Sequence, residues 1–350
     1  MREYCGFMVG VLLLVSIPVA AAEGPNQAWS ARGGGSQDVT ANVGESTRNW
    51  LAQLGDEDQP APKETAAPTS PTKSPPLPLH TIEGVGGCLV VPVAYLVNPG
   101  PEGTVVGMPA ASFTYINTST SKSLQAFAVT QTFLRRIEIG YALDRFDLGT
   151  WPKAVQKNLG RRVRRHDVYL HNFNVRGMLI EENSWDQPWL PAVTAGVHFK
   201  HNTGMRSIDG NTGGAPTSLG FARTNGIDYT LTLSKTVMLG RPFIFTGGMR
   251  NSQASHVGLL GFADSCATTV EGSVICLLTD WLAMAYEFRQ KENPYNRSPG
   301  LVGKEGNWHT ICFGLILSDR LTVAGGWARM GELANSDVDG AWGFQIKYEF

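Results

Sequence analysis

Histidine and cysteine are the residue types in this sequence that could bind a metal or act as nucleophiles. His198 and His201 are three positions apart, and His166 and His171 are five apart. On a β-strand an odd spacing sends two side chains to opposite faces, so neither pair predicts a metal site. The sequence has no CxxC pair, no HExxH and no EF-hand loop. We therefore expect neither a metal nor another cofactor.

Motifs for covalent catalysis or phosphate binding are missing as well. There is no GxSxG elbow, and the glycine cluster at 84–87 lacks both the GxGxxG spacing and a following helix. A membrane-embedded hydrolase with dispersed serine and histidine would leave no local signature, so that alternative stays open. The sequence favours a protein that is not an enzyme.

The cysteines fit an exported chain that does not depend on disulfides. Once residues 1–22 are removed as a predicted signal peptide, four cysteines remain: Cys88, Cys266, Cys276 and Cys312. An even number permits disulfides, but four in a chain of this length do not make a disulfide scaffold. Cys276 and Cys312 lie within apolar strand patterns. We therefore favour buried or wall-facing free thiols, with disulfides as the alternative.

The ten C-terminal residues show the pattern that dominates the chain. Apolar side chains, mostly aromatic, occupy every second position, at Trp342, Phe344, Ile346, Tyr348 and Phe350. This alternation predicts a β-strand with one apolar face. A strand that stops on an aromatic residue resembles the closing strand of bacterial outer-membrane barrels, and we expect Trp342, Tyr348 and Phe350 to be recognised by the assembly machinery. The alternative is an edge strand of a soluble β-sandwich.

Similar period-two patterns recur from residue 108 onward and predict twelve strands. They lie near 108–118, 122–133, 136–147, 165–181, 189–202, 225–238, 243–253, 267–279, 281–291, 307–317, 320–331 and 341–350. Tight joins such as 134–135 alternate with long connections such as 148–164 and 203–224, as in outer-membrane barrels. The sequence therefore predicts an all-β protein that forms a closed antiparallel transmembrane β-barrel.

The two faces of these strands differ in chemistry. Ile137 and Ile139, for example, alternate with Glu138 and Gly140. A charge on the lipid face costs roughly 2–4 kcal/mol at the midplane, so we expect the charged faces to point inward. The candidate lumen-lining residues are Glu138, Asp144, Arg176, Lys200, Asp228, Arg250, Glu287, Arg289, Lys347 and Glu349. Because their signs are mixed, they could form ion-pair networks or line a channel for small solutes.

The first long loop carries a basic cluster. Its members are Lys153, Lys157, Arg161, Arg162, Arg164 and Arg165. On the outer surface such a cluster could bind anionic lipid headgroups or steer anionic solutes. The alternative is an ordinary solvated loop.

The N-terminal part divides into three predicted segments. In 1–22, Arg2 precedes an apolar core and small residues offer a cleavage site, which predicts a cleaved signal peptide, with an uncleaved anchor as the alternative. Residues 23–79 predict a disordered linker, proline-rich from 58 onward. The Gly-rich segment 80–106 should lie in the lumen or on the periplasmic side, because an even number of strands starts and ends on the same side. The alternative is an extra strand over 82–97.

Composition excludes other classes of protein. Lys and Arg number 29 and Asp and Glu number 30, so no net charge favours a nucleic-acid partner. Beyond the signal region no run of 18 apolar residues occurs, so a helical membrane span is not expected. A search for long apolar runs does not detect membrane-spanning β-strands, because their residues alternate between apolar and polar.

Several segments resemble the bacterial outer-membrane family known as domain of unknown function 3034. The resemblance covers residues 82–350 and rests on VGGCLVVP at 85–92, RFDLG at 145–149, WLPAVTAGVHFK at 189–200, GLLGF at 258–262, YEFRQK at 286–291 and the aromatic C-terminus. It implies a barrel in the outer membrane of a Gram-negative bacterium. It implies nothing about mechanism, since the family has no established activity or catalytic residues.

The leading hypothesis is an outer-membrane β-barrel that acts as a narrow channel or transporter for small solutes. Its expected partners are outer-membrane lipid, lipopolysaccharide, the barrel assembly machinery and small solutes, and no nucleic acid is expected. A closed structural or surface-binding barrel is the second hypothesis. A secreted soluble β-sandwich is the third.

Overall fold

The computed structural model describes residues 78–221 and 223–350. The predicted signal peptide and nearly all of the predicted linker therefore lie outside the described residues. The strands are β1 (Leu79–His80), β2 (Gly86–Gly87), β3 (Ala110–Thr118), β4 (Lys122–Phe133), β5 (Ile137–Asp147), β6 (Asp167–Ile180), β7 (Ala192–Thr203), β8 (Asn225–Leu239), β9 (Arg241–Ala254), β10 (Phe262–Leu277), β11 (Leu282–Arg289), β12 (Glu305–Ile316), β13 (Leu321–Leu333), β14 (Ser336–Val338) and β15 (Ala341–Glu349). The helices are α1 (Trp151–Leu159), α2 (Met205–Thr212) and α3 (Ala215–Ser218), with single 3₁₀ turns at Ser184–Asp186 and His256–Gly258.

Twelve of these strands, β3 to β13 and β15, close into one antiparallel barrel. β15 pairs with β13 on one side and with β3 on the other, and β12 pairs with β13. In the β15–β3 ladder, for example, Ile346 lies opposite Phe113. A closed sheet has no unpaired edge, which is the condition a bilayer sets for a spanning sheet. The predicted closed barrel of twelve strands is confirmed.

The strand positions agree with the predicted ones to within a few residues, except in β10. This strand begins at Phe262 rather than near residue 267, and its pairing with β9 shifts register between Phe262 and Ala267. A register shift interrupts the period-two alternation, so the sequence pattern does not reveal the first residues of this strand. The short strand β14, which extends β13 as a hairpin, was not predicted.

The connections give the barrel two different ends. At the turn end, strands are joined by short connections at 134–136, 240, 278–281 and 317–320, and by the longer connection 181–191. At the loop end lie the connections 148–166, 204–224, 255–261, 290–304 and 334–340, together with the tight turn 119–121. The predicted alternation of short and long connections is therefore present, with one exception at each end.

The long connections pack against one another over the loop end. Helices α1 and α2 bury Trp151 and Met205 in an apolar cluster formed by several loops. The indole Nε1 of Trp151 donates to the carbonyl of Leu301 at 2.9 Å, and the amide of Asn296 donates to the carbonyl of Leu219 at 2.8 Å. The loop end is thus covered by an ordered layer of loops.

The outward side chains of the barrel are largely apolar. Phe127 and Phe173 are 54% and 56% exposed on the outer surface, whereas the residues that flank them in the chain are buried. Exposed tryptophans mark both ends of the barrel wall, with Trp281 near the turn end and Trp342 near the loop end. An apolar band between aromatic girdles is what lipid demands of a spanning barrel. The protein is therefore a β-barrel of the outer-membrane type.

Among the described helices, none combines the length and the apolar character needed to cross a membrane.

Candidate functional site

The barrel interior is the candidate site, and the predicted lumen residues lie there. All ten are buried, from Glu138 at 0% exposure to Glu349 at 4%. Each is on a barrel strand at a position whose neighbours in the chain face outward, as a period of two requires. Charges that would be intolerable against lipid are thereby grouped inside the barrel.

A segment of the chain itself fills this interior. Residues 78–97, which we name the plug, enter from the turn end and return to it before β3 begins. His80 anchors the first limb: its ring nitrogens lie 2.8 Å from Oγ of Ser112 and 2.9 Å from Oγ1 of Thr130. Its carbonyl accepts a hydrogen bond from the Gln345 side chain at 2.7 Å, and the Pro78 carbonyl accepts one from Lys347. The first limb of the plug is therefore fixed near the turn end.

Glu83 lies at the centre of the plug and of an ion-pair cluster. Its carboxylate lies 2.5 Å from Nζ of Lys200, 3.0 Å from Nη2 of Arg250 and 2.8 Å from Nη2 of Arg289. None of these four side chains is more than 4% exposed. Burial opposes ionisation of this acid, but the three cations hold the pKa of the Glu83 carboxyl well below its usual range.

Two wall carboxylates complete the cluster. Asp228 lies 2.6 Å from Lys200 and 3.0 Å from Arg250, and Glu271 lies 3.4 Å from Arg250 and 3.3 Å from Arg289. Together with Glu83 these acids balance the three cations, so the cluster, which we name the central cluster, has no net charge. A buried ion cluster is tolerable only when its charges are paired in this way.

A second pair of wall residues holds the plug backbone. Glu138 and Arg176 form an ion pair at 2.8 Å. The carboxylate of Glu138 accepts the amides of Gly86 at 3.2 Å and Val97 at 2.8 Å. The guanidinium of Arg176 donates to the carbonyls of Gly86 at 3.2 Å and Val93 at 2.8 Å. One wall pair thus satisfies backbone donors and acceptors on both limbs of the plug.

Glu287 forms a third anchor. Its carboxylate accepts the amides of Leu89, Val90 and Val91 at 3.3, 3.0 and 2.7 Å. Three successive backbone amides that point to one carboxylate form an anion-binding turn. In this protein the bound anion is the carboxylate of Glu287 on the barrel wall.

The return limb is held nearer the turn end. The Tyr95 hydroxyl donates to Glu182 at 2.6 Å and lies 2.7 Å from the hydroxyl of Thr236. The amide of Ala94 donates to Oγ of Ser234 at 2.9 Å. None of the barrel ladders in the described chain includes residues 78–97, whose strand pairing, β1 with β2, is internal. Side chains of the wall, rather than strand pairing, therefore fix the plug.

Two glycines explain why this segment is Gly-rich. Gly84 has φ +77°, and a Cβ placed there would lie 2.9 Å from the Cβ of Ala142 on the wall. A Cβ on Gly87 would lie 2.3 Å from the carbonyl of Val91 within the plug. Only glycine permits these close approaches without displacing backbone.

Sequence reasoning missed two members of the central cluster. The sequence places Glu83 in the predicted lumenal or periplasmic segment without indicating a role, and Glu271 lies in β10, where a register shift interrupts the alternation. The alternation of Thr269, Glu271 and Ser273 was the signal that could have identified Glu271 as inward-facing.

Not every predicted lumen residue joins the ion pairs. The carboxylate oxygens of Asp144 have no hydrogen-bond partner among the described residues, and the same holds for the ring nitrogens of His198. Lys347 pairs with Glu349 at 2.5 Å near the turn end. His198 is buried and His201 exposed, so these two histidines lie on opposite faces of β7 as their spacing predicts.

The cysteines contribute thiols rather than disulfides. None of the four described cysteines forms a disulfide. Cys88 in the plug and Cys312 in β12 are buried and their side chains interact, whereas Cys266 and Cys276 are partly exposed. No group of three or more potential metal ligands of the types His, Cys, Asp and Glu occurs within the described chain.

The remaining candidates lie on the outer surface. The basic cluster spans α1 and the residues after it, and Lys157, Arg161, Arg162 and Arg164 are exposed while Arg165 is half-buried. Within the described chain, none of the cluster takes part in an ion pair. The C-terminal aromatics Trp342, Tyr348 and Phe350 are exposed by 54%, 38% and 51% on the outward face beside β3.

Comparison with protein families gives an identification. The model of the family described as "Protein of unknown function (DUF3034)" matches residues 78–347. The chain belongs to the DUF3034 family. The match begins at the first residue of the plug, so the family unit comprises the plug and the barrel together. We found no match among curated proteins.

Solved outer-membrane barrels resemble the DUF3034 chain in fold. The KdgM porin in complex with disordered oligogalacturonate is 8% identical, with a TM-score of 0.44, 69% of this chain covered and 99% of that one. Omp33 of Acinetobacter baumannii is 8% identical, with a TM-score of 0.40 and 70% and 99% coverage. The COG4313 channel of Pseudomonas putida F1 is 9% identical, with a TM-score of 0.38 and 72% and 99% coverage.

Proposed function

We propose that this protein is a gated outer-membrane channel for small solutes, closed in the present structure by the plug. The observation that supports the proposal most directly is the way the plug is held. Wall side chains bind it through hydrogen bonds and ion pairs, and no barrel strand pairs with it in the described chain. Its release would therefore leave every barrel ladder intact.

The polar interior makes release chemically feasible. When the plug withdraws, water enters the lumen and solvates the cations that pair with Glu83 in the closed state. These cations are therefore not left unpaired in a low-dielectric interior. Because both limbs of the plug reach the turn end, it can withdraw on that side without threading through the wall. A lumen lined by both signs of charge would then admit small polar solutes without strong selection for either sign.

The orientation in the membrane follows from the two ends. Short turns of outer-membrane barrels face the periplasm and long loops face outward. We therefore place the turn end and the mouth of the plug in the periplasm of a Gram-negative bacterium. Export through a cleaved signal peptide at 1–22, and recognition of Trp342, Tyr348 and Phe350 by the assembly machinery, belong to the same proposal.

Planar-bilayer conductance tests the channel. The full-length barrel should remain closed for most of the recording, whereas a variant lacking residues 78–97 should show a higher conductance, limited by the layer of loops at the loop end. Compact migration on gels before heating and slower migration after boiling would show that the variant has folded. A folded deletion variant that conducts no more than the full-length protein would refute the proposal that the plug closes a channel.

A second candidate function is surface binding by the closed barrel. It is favoured by the exposed basic cluster, whose charges are not neutralised by neighbouring acids in the described chain. At the loop end this cluster would face the phosphates of lipopolysaccharide, or an anionic solute.

A further inference from the structure

A cavity of about 400 Å³ lies between the plug and the inner wall near the turn end. The plug supplies Leu79, Cys88 and Val93 to its lining, and strands β9 to β12 supply Ile244, Ile275 and Cys312, among others. Side chains of both parts line it, so neither the barrel nor the plug alone would form it.

The chemistry of this lining departs from the rest of the interior. On β11 the inward positions near the turn end are Ala283 and Ala285, whereas those farther along are Glu287 and Arg289. On β12 Gly314 faces the cavity, and a Cβ added there would meet no atom closer than 4.0 Å. Small apolar residues thus create the space, next to the charged residues of the central cluster.

We propose that this cavity is a binding site for one small, uncharged, apolar molecule. Cavities with an apolar lining bind apolar ligands in preference to ordered water, and a cavity of roughly 150 Å³ accepts benzene. By that proportion a volume of 400 Å³ accommodates a molecule of about 16 non-hydrogen atoms. Three aromatic rings, two of them fused, have about this size.

One edge of the cavity is polar and limits what the ligand can carry. Tyr95 and Thr236 contribute to the lining, and the Tyr95 hydroxyl is already committed to Glu182. A carboxylate on the ligand would meet the Glu182 charge, and an ammonium would lose hydration to an otherwise apolar wall. An uncharged ligand with at most a single polar atom at that edge satisfies the site.

Binding at this site does not require the plug to move. Because the plug forms part of the lining, the ligand binds only the plugged state and stabilises it by mass action. A barrel that never opens could still bind the ligand at this site. Conversely, a protein that acts as a channel could fail to bind any ligand there. The two proposals can therefore fail independently.

The test uses the full-length protein in detergent and N-phenyl-1-naphthylamine, a neutral probe with three aromatic rings whose fluorescence rises in apolar surroundings. We expect saturable binding of one probe per barrel above the signal of empty micelles, and competition by naphthalene. Gly314→Leu fills the cavity and should weaken binding at least tenfold. Gly177→Leu is the matched control, because Gly177 faces outward and a Cβ there meets nothing within 4 Å.

Two further controls keep the test decisive. Heat-modifiable migration shows whether each variant is folded, and Ala285→Leu is a second filling variant if Gly314→Leu does not fold. Absence of saturable binding above empty micelles would overturn the proposal. Equal affinity in the filled variant and in Gly177→Leu would overturn it too, because the probe would then be bound elsewhere on the barrel.

Discussion

Replacing Glu83 by glutamine should release the plug while leaving the barrel wall unchanged. The substitution keeps the size of the side chain and removes the one negative charge that the plug contributes to the central cluster. Three buried cations then share two carboxylates, and the plugged state carries an uncompensated positive charge.

The size of the effect follows from the remaining partners. Removing one member of a buried ion pair costs about 3–5 kcal/mol. After the change Lys200 still has Asp228 at 2.6 Å, and Arg289 still has Glu271 at 3.3 Å. The lower end of the range therefore applies, about 3 kcal/mol, which shifts the ratio of plugged to unplugged barrels by roughly 100-fold toward the unplugged state.

Open probability in planar bilayers measures this shift, and limited proteolysis of the plug measures it independently. Asp264→Asn is the control, because its ion pair with Arg223 is exposed and such pairs contribute about 0–1 kcal/mol. The double variant Glu83→Gln with Arg289→Gln restores a balance of two cations and two acids. It should be more closed than Glu83→Gln alone.

The reasoning would be refuted by a folded Glu83→Gln barrel that stays as closed and as protease-resistant as the wild type. Equal opening in Asp264→Asn would also refute it, since the effect would then not depend on burial. Heat-modifiable migration establishes folding in each case.

Three other predictions concern the plug and the loop end. In a Cys266→Ser, Cys276→Ser background, copper–phenanthroline should join the interacting thiols of Cys88 and Cys312, hold the channel closed and release it again on reduction. Acidification should loosen the plug. The pKa of His80 in the plugged barrel is held well below 6.5, mainly by burial and to a smaller extent by the positive charges of Lys347 and Arg176. As the pH falls below 6.5, the His80 imidazole takes up a proton in the released plug but not in the docked plug. The free energy of plug docking therefore weakens by up to about 1.4 kcal/mol for each pH unit below 6.5, which is measured as a rise in open probability. Neutralising the exposed basic residues should weaken binding to lipopolysaccharide and to phosphate-rich vesicles, measured by co-sedimentation at low salt; the residues to change are Lys157, Arg161, Arg162 and Arg164.

Each of these predictions has a matched control. For the cross-link it is Cys88→Ser, and gating that responds equally to oxidant in this variant would contradict the prediction. For acidification it is His80→Gln, which should remove most of the pH slope, and an unchanged slope would assign it to other groups. For the basic cluster it is Arg320→Gln at the turn end, and equal loss of binding in this variant would show a non-specific effect of charge.

The sequence alone determined the wall of this barrel. Side chains of a strand alternate with a period of two, so patterns such as Ile137 to Asp144 predict both the strand and the face that must avoid lipid. That rule is local, and it placed all ten charged candidates in the interior without any knowledge of their neighbours.

Tertiary structure decided what those charges contact. Glu83 meets Lys200 across 117 positions and Arg289 across 206, and no local pattern encodes which strands face each other across a closed lumen. The plug itself has little regular structure, so its course depends on wall side chains such as Glu138 and Glu287 that satisfy its backbone. The apolar cavity has the same origin, because it exists only where Cys88 and Val93 of the plug meet the small residues of β11 and β12.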